Sequence, residues 1–263
     1  MRNRILVIVS CLALAACSPQ APSAPDTSAS SVNTTSPVSD THKLEAQAMA
    51  AHPGYARRDG GVLTLALNGK DAVRLDDGNA QGCASMDDCA GWTFRGVEHL
   101  QSANGLDPYD LVARDDGGES TRYAFIGTEP DLTWFASWPA VSPSGQYIVS
   151  ASSDGSLILT DWATAYPHTV YDFGPDCRLV AWTSDREAQA RCTYPGGRAT
   201  LAVLALYNDV WRLSDTQEID PAAADIQPVE GTKLKKRVLI AKARQGQASD
   251  AGALKAEGYE RLN

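Results

Sequence analysis

From Gly61 onward, short apolar runs alternate with clusters of Gly, Asp, Asn, Ser and Pro, and this cadence restricts the fold more than any other feature. Runs this short fill a strand but not a helix, and the flanking turn formers stop them from continuing. Candidate strands are Val62–Leu67, Ala72–Leu75, Trp92–Val97, Tyr109–Arg114, Tyr123–Ile126, Thr133–Trp138 and Tyr147–Ala151. Further candidates are Leu157–Trp162, His168–Phe173, Leu179–Trp182, Ala190–Tyr194, Leu201–Leu206 and Trp211–Leu213. Asn68-Gly69, Asp77-Gly78, Asn104-Gly105, Asp116-Gly117-Gly118, Ser144-Gly145, Asp154-Gly155 and Pro195-Gly196-Gly197 punctuate them. Tight turns join antiparallel strands, whereas parallel strands need long crossovers, and no long amphipathic helical pattern appears before residue 240. The expectation is an all-β, antiparallel, propeller-like or twisted multi-sheet single domain.

Residues 139–162 (PAVSPSGQYIVSASSDGSLILTDW) are the best-defined part: a Ser-Pro-Ser-Gly turn, a strand, an Asp154-Gly155 turn, and a second strand ending at Trp162. This segment resembles the hairpin that recurs in β-propeller blades, and it is similar to part of small propeller-like or twisted-sheet lipoproteins of proteobacteria. Ser144 stands where such blades usually carry Asp, and Asp176–Trp182 is a degraded echo of the same pattern. Towards the C-terminus, Lys233, Lys235, Lys236 and Arg237 precede Val238-Leu239-Ile240, which reads as a basic edge strand guarded against pairing with other chains. Residues 253–262 (ALKAEGYERL) read as a short terminal helix interrupted by Gly258.

The N-terminus reads as an export signal. Arg2 and Arg4 precede the apolar run Ile5–Ala16, which is short for a membrane span and ends at Leu14-Ala15-Ala16-Cys17. Residues 1–17 resemble a bacterial lipoprotein signal with its lipobox. The resemblance implies that residues 1–16 are removed and that an acylated Cys17 anchors the chain in the lipid membrane; Ser18 in place of Asp implies an outer-membrane address facing the periplasm. Several acyl chains hold a protein on a membrane where one holds only marginally. Residues 18–41 are Pro, Ser, Thr and Ala rich, contain no aromatic, and cannot recover their ordering entropy by burial. Residues 17–54 are therefore expected to be a lipidated Cys and flexible tether, with Lys43–Ala50 a loop or frayed helix, and the β domain is expected to span residues 55–263.

Of six cysteines, Cys11 leaves with the signal and Cys17 goes to lipid, so Cys83, Cys89, Cys177 and Cys192 remain. An even remainder in an exported chain implies two disulfides. The expected pairs are Cys83–Cys89, closing a short Asp-containing loop, and Cys177–Cys192, which straddle the turn-like Thr183–Glu187 as antiparallel neighbours. The spacings lack the paired knuckles of a zinc site.

Catalytic signatures are scarce. No H-E-x-x-H, C-x-x-C, G-x-S-x-G, S-x-x-K or phosphate-loop motif occurs, and His42 and His52 lie in or beside the tether. The 23 Asp residues gather at turns without the alternating spacing of a calcium loop, so they read as backbone-capping turn residues. No metal or cofactor is expected. Trp134, Trp138, Trp162, Trp182 and Trp211 are expected in the core, whereas Tyr166, His168 and Tyr171 lie beside turn signals and are the candidate partner contacts.

Loss of residues 1–16 leaves 21 basic against 32 acidic residues, a net charge of −11. That balance argues against nucleic acid and suits a basic protein partner. Bacterial lipoproteins of similar build include inhibitors of cell-wall lytic enzymes and immunity proteins against secreted toxins. The leading expectation is therefore a protein-binding envelope lipoprotein of that kind, not an enzyme. The alternatives are a structural or assembly lipoprotein and, after it, a glycan hydrolase using carboxylates from separate loops.

Overall fold

A computed structural model describes residues 40–77, 91–115, 121–128, 132–164, 168–173, 177–222, 238–246, 250, 255 and 259–262. Helix α1 (Asp40–Ala51) comes first, then β1 (Ala56–Asp59), β2 (Val62–Leu67) and β3 (Lys70–Asp76). The strands β4 (Gly91–Ser102), β5 (Gly105–Asp115), β6 (Thr121–Ile126) and β7 (Thr133–Phe135) follow. Next are β8 (Ala140–Val141), β9 (Tyr147–Ala151), β10 (Leu157–Asp161) and β11 (Thr169–Asp172). The last two groups are β12 (Cys177–Ser184), β13 (Glu187–Thr193), β14 (Ala199–Tyr207) and β15 (Val210–Ile219), then β16 (Val238–Ile240), β17 (Lys242–Gln245) and β18 (Tyr259–Arg261). The fold is all-β and antiparallel, in four sheets ordered β1-β2-β3-β18, β4-β5-β6-β7, β8-β9-β10-β11-β17 and β12-β13-β14-β15-β16.

Local sequence explains the hairpins. Leu67 pairs with Lys70 around Asn68-Gly69, both at positive φ (54° and 75°), the backbone that matches the strands' right-handed twist. Asn208 and Asp209 (49° and 59°) make the corresponding turn between Tyr207 and Val210. Cys177 pairs directly with Cys192 and forms the expected disulfide, Cα atoms 4.0 Å apart.

The sheets pack face to face in chain order. Leu63, Leu65, Val73 and Leu75 of the first meet Trp92, Phe94, Val112 and Ile126 of the second. Leu100, Leu111, Phe125 and Phe135 of the second meet Ile148 and Trp162 of the third. Val149, Leu157 and Leu159 of the third meet Ala190, Cys192, Leu204, Trp211 and Leu213 of the fourth. Successive strand residues point to opposite faces, so Leu111 serves one interface and Val112 the other, as do Ile148 and Val149. The outer sheets bury one face only. In β13, Ala188, Ala190 and Cys192 are buried while Glu187, Gln189 and Arg191 alternate with them on the other side. Among the described residues no apolar cluster joins the fourth sheet to the first. The C-terminal strands cross between sheets instead: β16 lies on β15, β17 on β11 and β18 on β3.

Three local expectations are corrected. The folded part reaches back to Asp40, because α1 is a full helix whose Ala48 and Met49 pack on the first core cluster. Propensity alone left it frayed; tertiary packing holds it. The terminal segment ends in strand β18, with Tyr259 opposite Leu75, because a sheet edge beside β3 was open to it. Trp138 lies outside the core, 51% exposed, since β7 ends at Phe135 and the alternation that would have turned Trp138 inward does not reach it. Cys17, the Cys83–Cys89 pair and most of the tether lie outside the described residues.

A polar cluster joins α1 to the first two sheets. Asp77 Oδ1 accepts the Trp92 N–H (2.7 Å), Glu45 Oε1 accepts the Phe94 N–H (3.0 Å), and Arg58 bonds both carboxylates and the Trp92 carbonyl oxygen. Arg58→Met is expected to destabilise the protein by about 3–5 kcal/mol, because two buried carboxylates lose their cation. Hydrogen exchange should show residues 40–51 losing protection first; unchanged protection there would contradict the role given to Arg58.

Gly145 forms the turn before β9 at φ 71°, and its carbonyl oxygen accepts the Gln101 N–H at 3.0 Å. A Cβ there would lie 2.3 Å from the His99 carbonyl oxygen, whereas one at Gly155 (φ 82°) meets nothing within 4 Å. Gly145→Ala should therefore cost about 3 kcal/mol or more and Gly155→Ala only about 1 kcal/mol, as read by urea denaturation.

Candidate functional site

The hairpin singled out in the sequence carries a polar cluster at one end of the third sheet. Strand pairing sets Asp161 opposite Tyr147 and brings Tyr171, opposite Leu159, onto the neighbouring strand. Gln146 Nε2 donates to Tyr147 Oη at 2.9 Å and its side chain also bonds Asp161, whose Oδ1 accepts the Ala163 N–H at 3.2 Å. Burial pushes the Asp161 carboxyl above its ordinary value despite those bonds. Burial and the nearby Asp161 charge raise both the Tyr147 and Tyr171 phenols, which are therefore neutral hydrogen-bonding groups at physiological pH. Phenols in this state, with a carboxylate and an amide beside them, orient and bind polar groups; they make no nucleophile.

The three sequence candidates do not form one exposed patch. Tyr171 is half-buried against the core between the third and fourth sheets. His168 is buried: its ring stacks on Trp162 (centroids 4.1 Å apart, planes 27°) and its Nδ1 lies 3.2 Å from the Thr164 carbonyl oxygen. The surface position expected for His168 is corrected, since Trp162 supplies an apolar plane that draws the imidazole inward. Tyr166 lies outside the described residues. The exposed aromatic is instead Trp138, whose ring meets Tyr123 edge-on at 5.6 Å. Trp134, two strand positions from the end of its sheet edge, faces the other way, stacked on Trp92 at 5.6 Å with the Arg122 guanidinium 4.4 Å from its ring centre.

One buried carboxyl carries no sequence signal at all. Asp110 on β5 is 1% exposed, on the face that Val112 and Ile126 turn toward the first sheet. Neither of its oxygens has a hydrogen-bond partner among the described residues, and burial pushes its pKa up to about 8. Asp215, equally buried in β15, is held by the Tyr194 and Thr200 hydroxyls. Among the described residues no three His, Cys, Asp or Glu side chains come together as a metal site, and no helix is long and apolar enough to cross a membrane.

No protein-family model, no curated protein and no solved structure matches this chain. Argument about function therefore rests on the residues themselves.

Asp110 has a testable consequence. A carboxyl whose folded pKa lies above its unfolded value binds its proton more tightly in the folded state. Its penalty is absent below the unfolded pKa of about 4, grows by at most about 1.4 kcal/mol per pH unit, and levels off above about pH 8. Asp110→Asn should therefore gain stability relative to wild type as pH rises from about 5 to 8. Denaturant midpoints at four pH values would read this; a pH-independent difference would contradict it.

Proposed function

We propose that this protein is an envelope lipoprotein, anchored through an acylated Cys17, whose β domain binds another protein. The observation that carries the binding reading is Trp138, which exposes half of its surface beside Tyr123 at the margin of a sheet whose other side chains are locked in two core clusters. A large aromatic held on rigid strands contributes contact area at little entropic cost, which is why such residues anchor interfaces. The half-buried Tyr171 and the sequence candidate Tyr166 are further contacts in this reading.

The mature charge of −11 favours a basic partner by accelerating encounter. A secreted or resident cell-wall-degrading enzyme has that character, so the protein acts as its inhibitor or immunity factor.

The full chain, solubilised from membranes, is to be titrated into basic peptidoglycan-cleaving enzymes while their activity is followed. Saturable inhibition at one-to-one stoichiometry is expected, with Trp138→Ala weakening it by about thirtyfold or more. Cys17→Ser should release the protein from the membrane fraction without altering inhibition. Peptidoglycan cleavage by the purified chain itself would overturn the reading.

A further inference from the structure

The pairing of β12 with β13 places Arg178 directly opposite Arg191, one position along from the Cys177–Cys192 disulfide that pins the register. Two guanidinium groups facing each other across neighbouring strands repel, and such pairs are normally avoided. Arg178 makes no hydrogen bond or ion pair among the described residues. Arg191 is positioned by donating from Nη2 to the Pro221 carbonyl oxygen.

These arginines line a cleft of about 600 Å³, together with Thr193, Cys177, and Asp154 and Gly155 from the β9–β10 turn. Asp154 does not neutralise them. Its Oδ1 accepts from the Ser152 hydroxyl and the Ser156 N–H, and no ion pair joins it to either arginine among the described residues. The same bonds hold the Asp154 carboxyl below its ordinary value, so it stays ionised. The cleft thus presents two cationic forks and a hydroxyl on one side and a fixed carboxylate on the other. Charge on an edge strand guards against aggregation, which would account for Arg178 on the edge strand β12. It does not account for Arg191 on the interior strand β13, or for a carboxylate fixed by its own turn on the opposite wall.

We propose that this cleft binds the phosphate or carboxylate group of a small, hydroxyl-bearing molecule. The anion sits between the Arg178 and Arg191 guanidiniums, which suit oxyanions because their N–H donors form a planar fork. Thr193 adds a hydroxyl donor, and Asp154 accepts from a hydroxyl on the rest of the ligand. The volume suits a small molecule and not a folded partner. Binding here is independent of the protein contact proposed above, which uses Trp138.

The test uses the full chain at constant ionic strength, with inorganic phosphate, malonate and glucose 6-phosphate as probes followed by calorimetry and by thermal stabilisation. Saturable binding of phosphate, of malonate or of both is expected, and which of them binds identifies the anion. Arg178→Gln and Arg191→Gln should each weaken it by about tenfold or more, while Arg178→Lys keeps part of the affinity and guards against loss of fold. Glucose 6-phosphate should bind more tightly than phosphate, an advantage that Asp154→Asn removes. Arg198→Gln, whose guanidinium lies over the Tyr194 ring of the same sheet, should bind as wild type does. Failure of every probe to saturate, equal displacement by chloride, or the same loss in the Arg198 variant would overturn the proposal. None of these results touches inhibition through Trp138, so the two readings fail separately.

Discussion

Strand β4 begins the second sheet, so one of its edges has no strand beside it, yet Trp92 and Phe94 on that strand are buried in the core. Buried N–H groups need acceptors. Here side chains take the place of a missing strand: Asp77 accepts from Trp92, Glu45 accepts from Phe94, and Arg58 donates back to the Trp92 carbonyl oxygen while bonding both carboxylates. The three charged residues come from the helix, from β1 and from the residue just after β3. One cluster therefore fixes the helix, the first sheet and the second sheet relative to one another. Its members are worth little alone and costly to break, since each leaves a buried charge behind.

Everything after that junction is a repetition of one packing rule. Each sheet is a meander joined by tight turns, and each packs its faces against the sheets before and after it in the chain. The second and third sheets are covered on both sides, which is why β5 and β9 carry consecutive apolar residues such as Leu111-Val112 and Ile148-Val149. The outer sheets show polar alternation because water takes one side. A fold of this kind offers function on its margins: the ends of sheets, the turns and the outer faces. Trp138 and the Arg178–Arg191 cleft both lie there, while Asp110 is a polar residue left inside an interface that gives it no partner.

The strands, the turns and the Cys177–Cys192 bridge were legible in the sequence because their signals are local. Val62–Leu67 and Tyr147–Ala151 are strands with the bounds their composition indicates, and Asn68-Gly69 turns the chain as that dipeptide should. The all-β class followed from these. The short β1 and β8 carried too little apolar pattern to be seen, and β18 was hidden in a segment that reads helical by propensity.

What the tertiary structure alone decided is where each side chain ends up relative to distant parts of the chain. Glu45 and Asp77 look like surface carboxylates until β4 arrives beside them, and Asp110 looks no different from the aspartates of the turns. His168 turns inward because Trp162 offers a stacking plane, and Trp138 stays outside because its strand ends first. The physical reason is range. Period-two alternation and turn conformation depend on a few adjacent residues, so they are written in the sequence; burial, pairing of charges and exposure of an aromatic depend on contacts between segments tens of residues apart, which exist only once the sheets have packed.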